Sequence, residues 1–88
     1  MNVLLVDDHP LILSALTALI ESLGQHVRVV GVDSAERAWR RLNTRERFDL
    51  VLLDLDLGDA DGFDMLVELR KAHPELPVVM VSATDRPA

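Results

Sequence analysis

Two periodicities alternate along the chain. The runs VLLV (3–6), VRVVGV (27–32), LVLL (50–53) and VVMV (78–81) are short and nearly all apolar, with no polar residue at every second place. That pattern reads as strands buried on both faces. Between the first two runs, PLILSALTALIESLG has helical spacing: Pro10 suits a first turn, Ile12, Leu16, Leu19, Ile20 and Leu23 form a stripe, and Gly24 is a stop. A second helix is predicted from Ala35, Ala38, Trp39 and Leu42 on one face. Asp33 and Ser34 offer its N-cap, and Asp33 with Glu36 has capping-box spacing. A third helix is expected from about Gly62 to Ala72, followed by a turn at HPELP.

Strands separated by single helices predict an α/β fold, a parallel sheet covered on both faces. In such sheets ligands sit beyond the C-terminal strand ends, where the strand order reverses. The residues to inspect are therefore Asp7, Asp8 and His9 after the first strand, Asp54 and Asp56 after the third, and Ser82, Ala83 and Thr84 after the fourth. In a sheet ordered 2-1-3-4 the first and third strands are neighbours, and Asp7, Asp8 and Asp54 converge on one crevice. Mutual repulsion and burial both raise the cost of such a group. The arrangement suits a hard cation that prefers oxygen, most simply Mg²⁺.

Composition narrows the class. Eighty-eight residues make one domain, hiding roughly 60 to 65% of the unfolded chain's surface. The net charge of −6 argues against a nucleic-acid surface. With no cysteine there is neither a disulfide framework nor a thiolate site, in keeping with a reducing cytoplasm. No apolar stretch approaches the ~20 residues of a membrane span, and no basic segment precedes an apolar run at the start. A cytoplasmic domain is expected.

Across residues 2–88 the chain resembles the receiver domain of bacterial two-component response regulators. The resemblance is carried by VDD (6–8) continuing into HPL, Asp54 ending LVLLD, Asp61-Gly62 opening the third helix, and Ser82-Ala83 ending VVMVSA. It implies a flavodoxin-like doubly wound parallel sheet and a non-enzymatic phosphoacceptor module that switches conformation to control an output, transcription in a parent protein. Its donor would be a sensor histidine kinase or histidine phosphotransfer protein. Asp54 is implied to be the phosphoacceptor, and Asp8 and Asp54, with the Asp56 backbone carbonyl, to bind Mg²⁺. Asp7 would assist through water, and the Ser82 hydroxyl would meet the phosphoryl group.

The chain departs from the family in two places. Gly58 stands where the family usually has proline, which predicts a more flexible loop after Asp54. The family's last helix-strand-helix, with a lysine that pairs with the phosphoryl group, is not represented; the single lysine, Lys71, falls in the third helix. The 88 residues are thus expected to form an incomplete receiver, with VVMV at an open edge and the first helix short of neighbours. A homo-oligomer, most simply a two-fold dimer, is the expected remedy.

Other readings compete. Residues 57–68 match an EF-hand loop through Asp59, Asp61, Gly62 and Glu68 but have Leu57 at its first position. Asp54 and Asp56, two apart after a strand, resemble the acid pair of haloacid-dehalogenase-type phosphatases, although that family's acidic metal pair comes late in the chain rather than first. His9 is expected as a surface residue at a helix start, His26 and His73 as loop residues, and Trp39 as packed against the sheet. The arginines at 37, 40, 41, 45 and 47 are expected on a solvated face.

Overall fold

The computed structural model describes residues 1–81. In chain order the elements are β1 (Asn2–Val6), α1 (Pro10–Glu21), β2 (Arg28–Val32), α2 (Ala35–Leu42), β3 (Leu50–Asp54), β4 (Asp56–Leu57), β5 (Ala60–Asp61), α3 (Gly62–Ala72) and β6 (Val78–Val81). The main sheet is parallel and ordered β2-β1-β3-β6. The fold is thus the flavodoxin-like α/β arrangement expected, with β6 as the fourth long strand. A small antiparallel ladder, β4 with β5, was not expected.

β1 lies between β2 and β3, and its Val3, Leu4, Leu5 and Val6 are buried, as an unalternating apolar run requires. Successive side chains point to opposite faces. Leu4, Val6, Val32, Val51 and Leu53 meet Ala35, Ala38 and Leu42 of α2 and Met65 and Leu69 of α3 in one core cluster, and Trp39 packs partly buried against it. Val3 and Leu5 face the α1 side.

The α1 side is thinner than the stripe suggested. No α1 residue is fully buried, and Leu19 and Leu23 are well exposed. Leu13, outside the expected stripe, lies over β2: a Cβ built on Gly31 would lie 3.1 Å from its Cδ1. The helix ends at Glu21, short of Gly24, with Ser22 as C-cap.

At α2 the capping box does not form. Ser34 is the N-cap and its Oγ accepts the Arg37 N–H at 3.1 Å. Asp33 and Glu36 instead form ion pairs one turn on, with Arg37 at 3.0 Å and Arg40 at 2.6 Å, while Arg41 pairs with Glu46. The arginine face is therefore largely neutralised locally and solvated, as expected. Among the described residues no helix is long and apolar enough to cross a membrane.

Candidate metal centre

Strand register builds the site. Val6 is paired with Leu53 across β1 and β3, so the next residues, Asp7 just past β1 and Asp54 at the end of β3, lie at the same level of the sheet's C-terminal edge. The ladder still holds Asp7, whose N–H donates to the Val32 carbonyl at 3.1 Å. Both carboxylates are only 2% exposed. Asp8 follows at the rim. One ligand atom from each of Asp7, Asp8, His9 and Asp54 lies within 4.8 Å of the others. The three predicted acids therefore converge.

His9 stands at the surface at the start of α1, as expected, and it also belongs to the cluster. Its ring is half exposed, yet Nδ1 lies 2.8 Å from Asp7 Oδ1, 3.2 Å from Asp8 Oδ1 and 3.5 Å from Asp54 Oδ2. The His9 N–H also donates to Asp7 Oδ1 at 2.9 Å, so a short local turn draws the ring in. Its pKa is raised above 6.5, first by the hydrogen bond to Asp7 and then, against a lowering by desolvation, by the charges of Asp8, Asp7 and Asp54. Protonation of the imidazole answers part of the demand for positive charge made by three carboxylates.

Asp54 has the opposite problem. Burial, its largest influence, raises its pKa above 3.8; Asp7 and Asp8 add to the rise, while the Asp56 N–H and His9 oppose it. The Asp56 N–H reaches Asp54 Oδ1 at 3.4 Å. Asp54 Oδ2 and Asp8 Oδ1 are both buried and have no hydrogen-bond partner among the described residues. A buried anionic oxygen without a partner is costly. Two such atoms beside a third carboxylate fit an oxygen-preferring divalent cation.

The remaining predicted residues separate. The Asp56 side chain is exposed, and its backbone forms the short ladder with Asp61. Ser82, Ala83 and Thr84 lie outside the described residues. Asp59 and Asp61, candidates for an EF-hand loop, are helix caps. Asp61 accepts the Phe63 N–H of α3 at 2.8 Å, and Asp59 accepts the Ala35 and Glu36 N–H groups of α2 at 3.0 and 3.2 Å. Those two N–H groups, Ala35 first, hold the Asp59 pKa below 3.8. The four acids between positions 54 and 61 thus have four positions: Asp54 in the site, Asp56 in solvent, and Asp59 and Asp61 at two helix N-termini.

Glycine at 62 has a steric reason. A Cβ there would stand 2.5 Å from the Leu55 carbonyl oxygen and 2.7 Å from that of Asp54, and the Gly62 N–H donates to Leu55 O at 3.0 Å. The start of α3 is packed directly on the backbone that carries Asp54. Sequence reasoning placed this residue at the start of the third helix; the close approach needs the folded chain.

Comparison with known proteins gives a consistent picture. A family model described as "Response regulator receiver domain" matches residues 3–88. The chain is 36% identical over 84 residues to the probable transcriptional regulatory protein TcrX of Mycobacterium tuberculosis, covering 96% of this chain and 35% of that protein. It is 39% identical over 88 residues to the two-component response regulator ARR12 of Arabidopsis thaliana, covering 99% of this chain and 14% of that protein. The chain therefore spans about a third or less of these relatives' length. Among solved structures, the MaeR response regulator bound to beryllium trifluoride matches with a TM-score of 0.85 and 28% identity, over 98% of this chain and 70% of that one. A CheY-like receiver domain protein from Methanospirillum hungatei JF-1 matches with a TM-score of 0.84 and 26% identity, over 97% of this chain and 66% of that one.

Proposed function

The chain belongs to the response regulator receiver domain family, and on that footing we propose that it is a phosphoacceptor module of a two-component pathway, with Asp54 as the accepting residue. One observation carries the reading: Asp54 Oδ2 is buried, without a hydrogen-bond partner among the described residues, and beside Asp7 and Asp8. The donor is a phosphohistidine on a sensor histidine kinase or histidine phosphotransfer protein. An Asp54 oxygen attacks phosphorus, the phosphorus–nitrogen bond of the donor breaks, and the departing imidazole recovers a proton from solvent. Burial makes the Asp54 carboxylate more basic and so more nucleophilic.

Asp7, Asp8, Asp54 and the Asp56 backbone carbonyl are the proposed holders of Mg²⁺. When bound, the ion neutralises charge on the phosphoryl oxygens, which is most of what phosphoryl transfer needs beyond positioning. Asp7 and Asp8 set the negative field that draws the ion in, and Asp54 presents its free oxygen to the incoming group. His9, already among these oxygens, must swing out as a cation enters. Ser82 is proposed to donate its hydroxyl to the phosphoryl group and to report it to the segment that follows.

The module acts as substrate and switch rather than as an enzyme. It works in the cytoplasm, binds no nucleic acid itself, and governs an output such as transcription in a longer protein. β6 pairs only with β3 among the described residues, and Val79 is half exposed. A two-fold dimer that covers this edge and the thin α1 side is part of the proposal. The test is incubation with an acyl phosphate with and without Mg²⁺, followed by intact mass. A Mg²⁺-dependent gain of one phosphoryl group, absent in Asp54→Asn, is expected. An undiminished gain in Asp54→Asn would refute the assignment.

A further inference from the structure

The two residues at the tip of the β4–β5 ladder make contacts in opposite directions. Pairing of Leu57 with Ala60 leaves Gly58 and Asp59 as the turn. The Gly58 N–H donates to Asp8 Oδ2 at 3.0 Å, across fifty positions of sequence. The adjacent Asp59 spans the first turn of α2, accepting the Ala35 N–H on Oδ1 and the Glu36 N–H on Oδ2. Together with Ser34 Oγ on the Arg37 N–H, these bonds satisfy three donors that a helix start otherwise leaves open. The cap is charge-assisted and opposes the positive end of the helix dipole. Buried Leu57 roots the ladder in the core, and the Gly62 N–H on Leu55 O closes its base.

The orientation of Asp8 depends on this tip. Its Oδ2 is engaged by Gly58, which leaves Oδ1 as the buried atom without a hydrogen bond in the cluster with Asp7, His9 and Asp54. Gly58 has no positive φ, so the glycine is not there for a left-handed turn. What it supplies is an N–H aimed at a carboxylate. Proline at this position would have none. The departure from proline thus supplies a point of attachment to Asp8.

We propose that Gly58 and Asp59 form a positioning clamp: Asp59, anchored on the N-terminus of α2, holds the Gly58 N–H against Asp8 so that Asp8 Oδ1 faces the cation site. Asp59 is a positioning residue that contacts neither cation nor phosphoryl group. The inference rests on the reading of the cluster as a Mg²⁺ site. It adds a specific coupling, in which order at the start of α2 and order at Asp8 support each other.

The experiment uses isotope-labelled chain and the variants Asp59→Ala, Asp59→Asn, Gly58→Pro and Ser34→Ala. In metal-free protein, Asp59→Ala should shift the Gly58 amide and the Asp8 carboxyl carbon resonances. Ser34→Ala, which removes a cap from the same helix without touching the tip, should leave both in place. In Mg²⁺ titrations followed by amide shifts, Asp59→Ala and Gly58→Pro should each weaken binding by roughly five- to tenfold, the scale of one ordinary hydrogen bond. Asp59→Asn, which keeps one acceptor oxygen, should recover part of the loss, and Ser34→Ala should bind as wild type. Unmoved Gly58 and Asp8 resonances in metal-free Asp59→Ala would overturn the clamp whether or not Mg²⁺ binds. Equal weakening by Ser34→Ala would overturn it as well, by showing a general effect of helix fraying. Absence of Mg²⁺ binding by wild type, with the metal-free shifts as expected, would leave the clamp standing and sink the reading of the site.

Discussion

Replacing each glycine by alanine in turn should produce a graded loss of stability set by the space each Cβ would enter. None of the four has a positive φ, so backbone conformation is not the variable. At Gly24 the nearest atom is Val27 Cγ2 at 3.7 Å, an ordinary contact. Gly24→Ala is expected to be neutral or to stabilise by about 0.4–1 kcal/mol through loss of freedom in the unfolded chain. At Gly58 the neighbour is Asp8 Oδ2 at 3.3 Å and at Gly31 it is Leu13 Cδ1 at 3.1 Å; both are side-chain ends that can yield. At Gly62 the neighbours are backbone, at 2.5–2.7 Å, and cannot rotate away. Overpacking of this kind costs roughly 1–3 kcal/mol, and alanine's better helix propensity returns at most about 1 kcal/mol. A net loss of about 1–2 kcal/mol is expected, or a fall in Tm of roughly 4–16 °C for a chain of this size. Thermal and urea unfolding followed by circular dichroism would measure the series. Because the displaced atoms belong to Leu55 and to Asp54 itself, Gly62→Ala should also weaken Mg²⁺ binding. Gly62→Ala as stable as Gly24→Ala would refute the steric argument.

The metal-free protein should lose stability on both sides of neutrality. The depressed Asp59 pKa contributes stability that is present above 3.8 and lost as pH falls through the lower folded value, and Asp59→Asn should flatten this acid limb in urea unfolding. The raised His9 pKa contributes stability that is complete below 6.5 and lost as pH rises through the higher folded value, and the raised Asp54 pKa acts in the same sense from 3.8 upward; His9→Gln should flatten the neutral-to-alkaline part of the decline. Light scattering over a concentration series should show a dimer; a monomer at every concentration that still unfolds cooperatively would remove the proposed dimer.

Much of the fold was legible because unalternating apolar runs such as VLLV and LVLL admit few alternatives to buried parallel strands. The order of those strands placed Asp7 and Asp54 side by side, and the register of Val6 against Leu53 is what makes that placement good to within one residue. The β4–β5 ladder escaped because strands of two residues carry no period, although a Gly-Asp pair between Leu57 and Ala60 is itself a hairpin cue. Asp59 could not be assigned from local pattern, since the N–H groups it caps lie 23 and 24 positions earlier. The surface position of His9 at a helix start was legible, but its contact with the acids was not assigned, because helical-face reasoning ignores what a residue just ahead of the helix can reach, and here it reaches back two positions to Asp7. The α1 stripe overstated burial: Leu19 and Leu23 have apolar identity and spacing, but no element among the described residues covers them.

The central claim is that the phosphoryl group resides on Asp54. The most direct test is to treat the chain with an acyl phosphate in Mg²⁺, trap the acyl phosphate formed by borohydride reduction, and locate the modified residue by peptide fragmentation. The account predicts modification at Asp54, dependent on Mg²⁺ and lost in Asp8→Ala. Modification at Asp56 would contradict it, because that side chain lies in solvent outside the cluster, and so would modification at Asp54 that proceeds equally well with the metal removed.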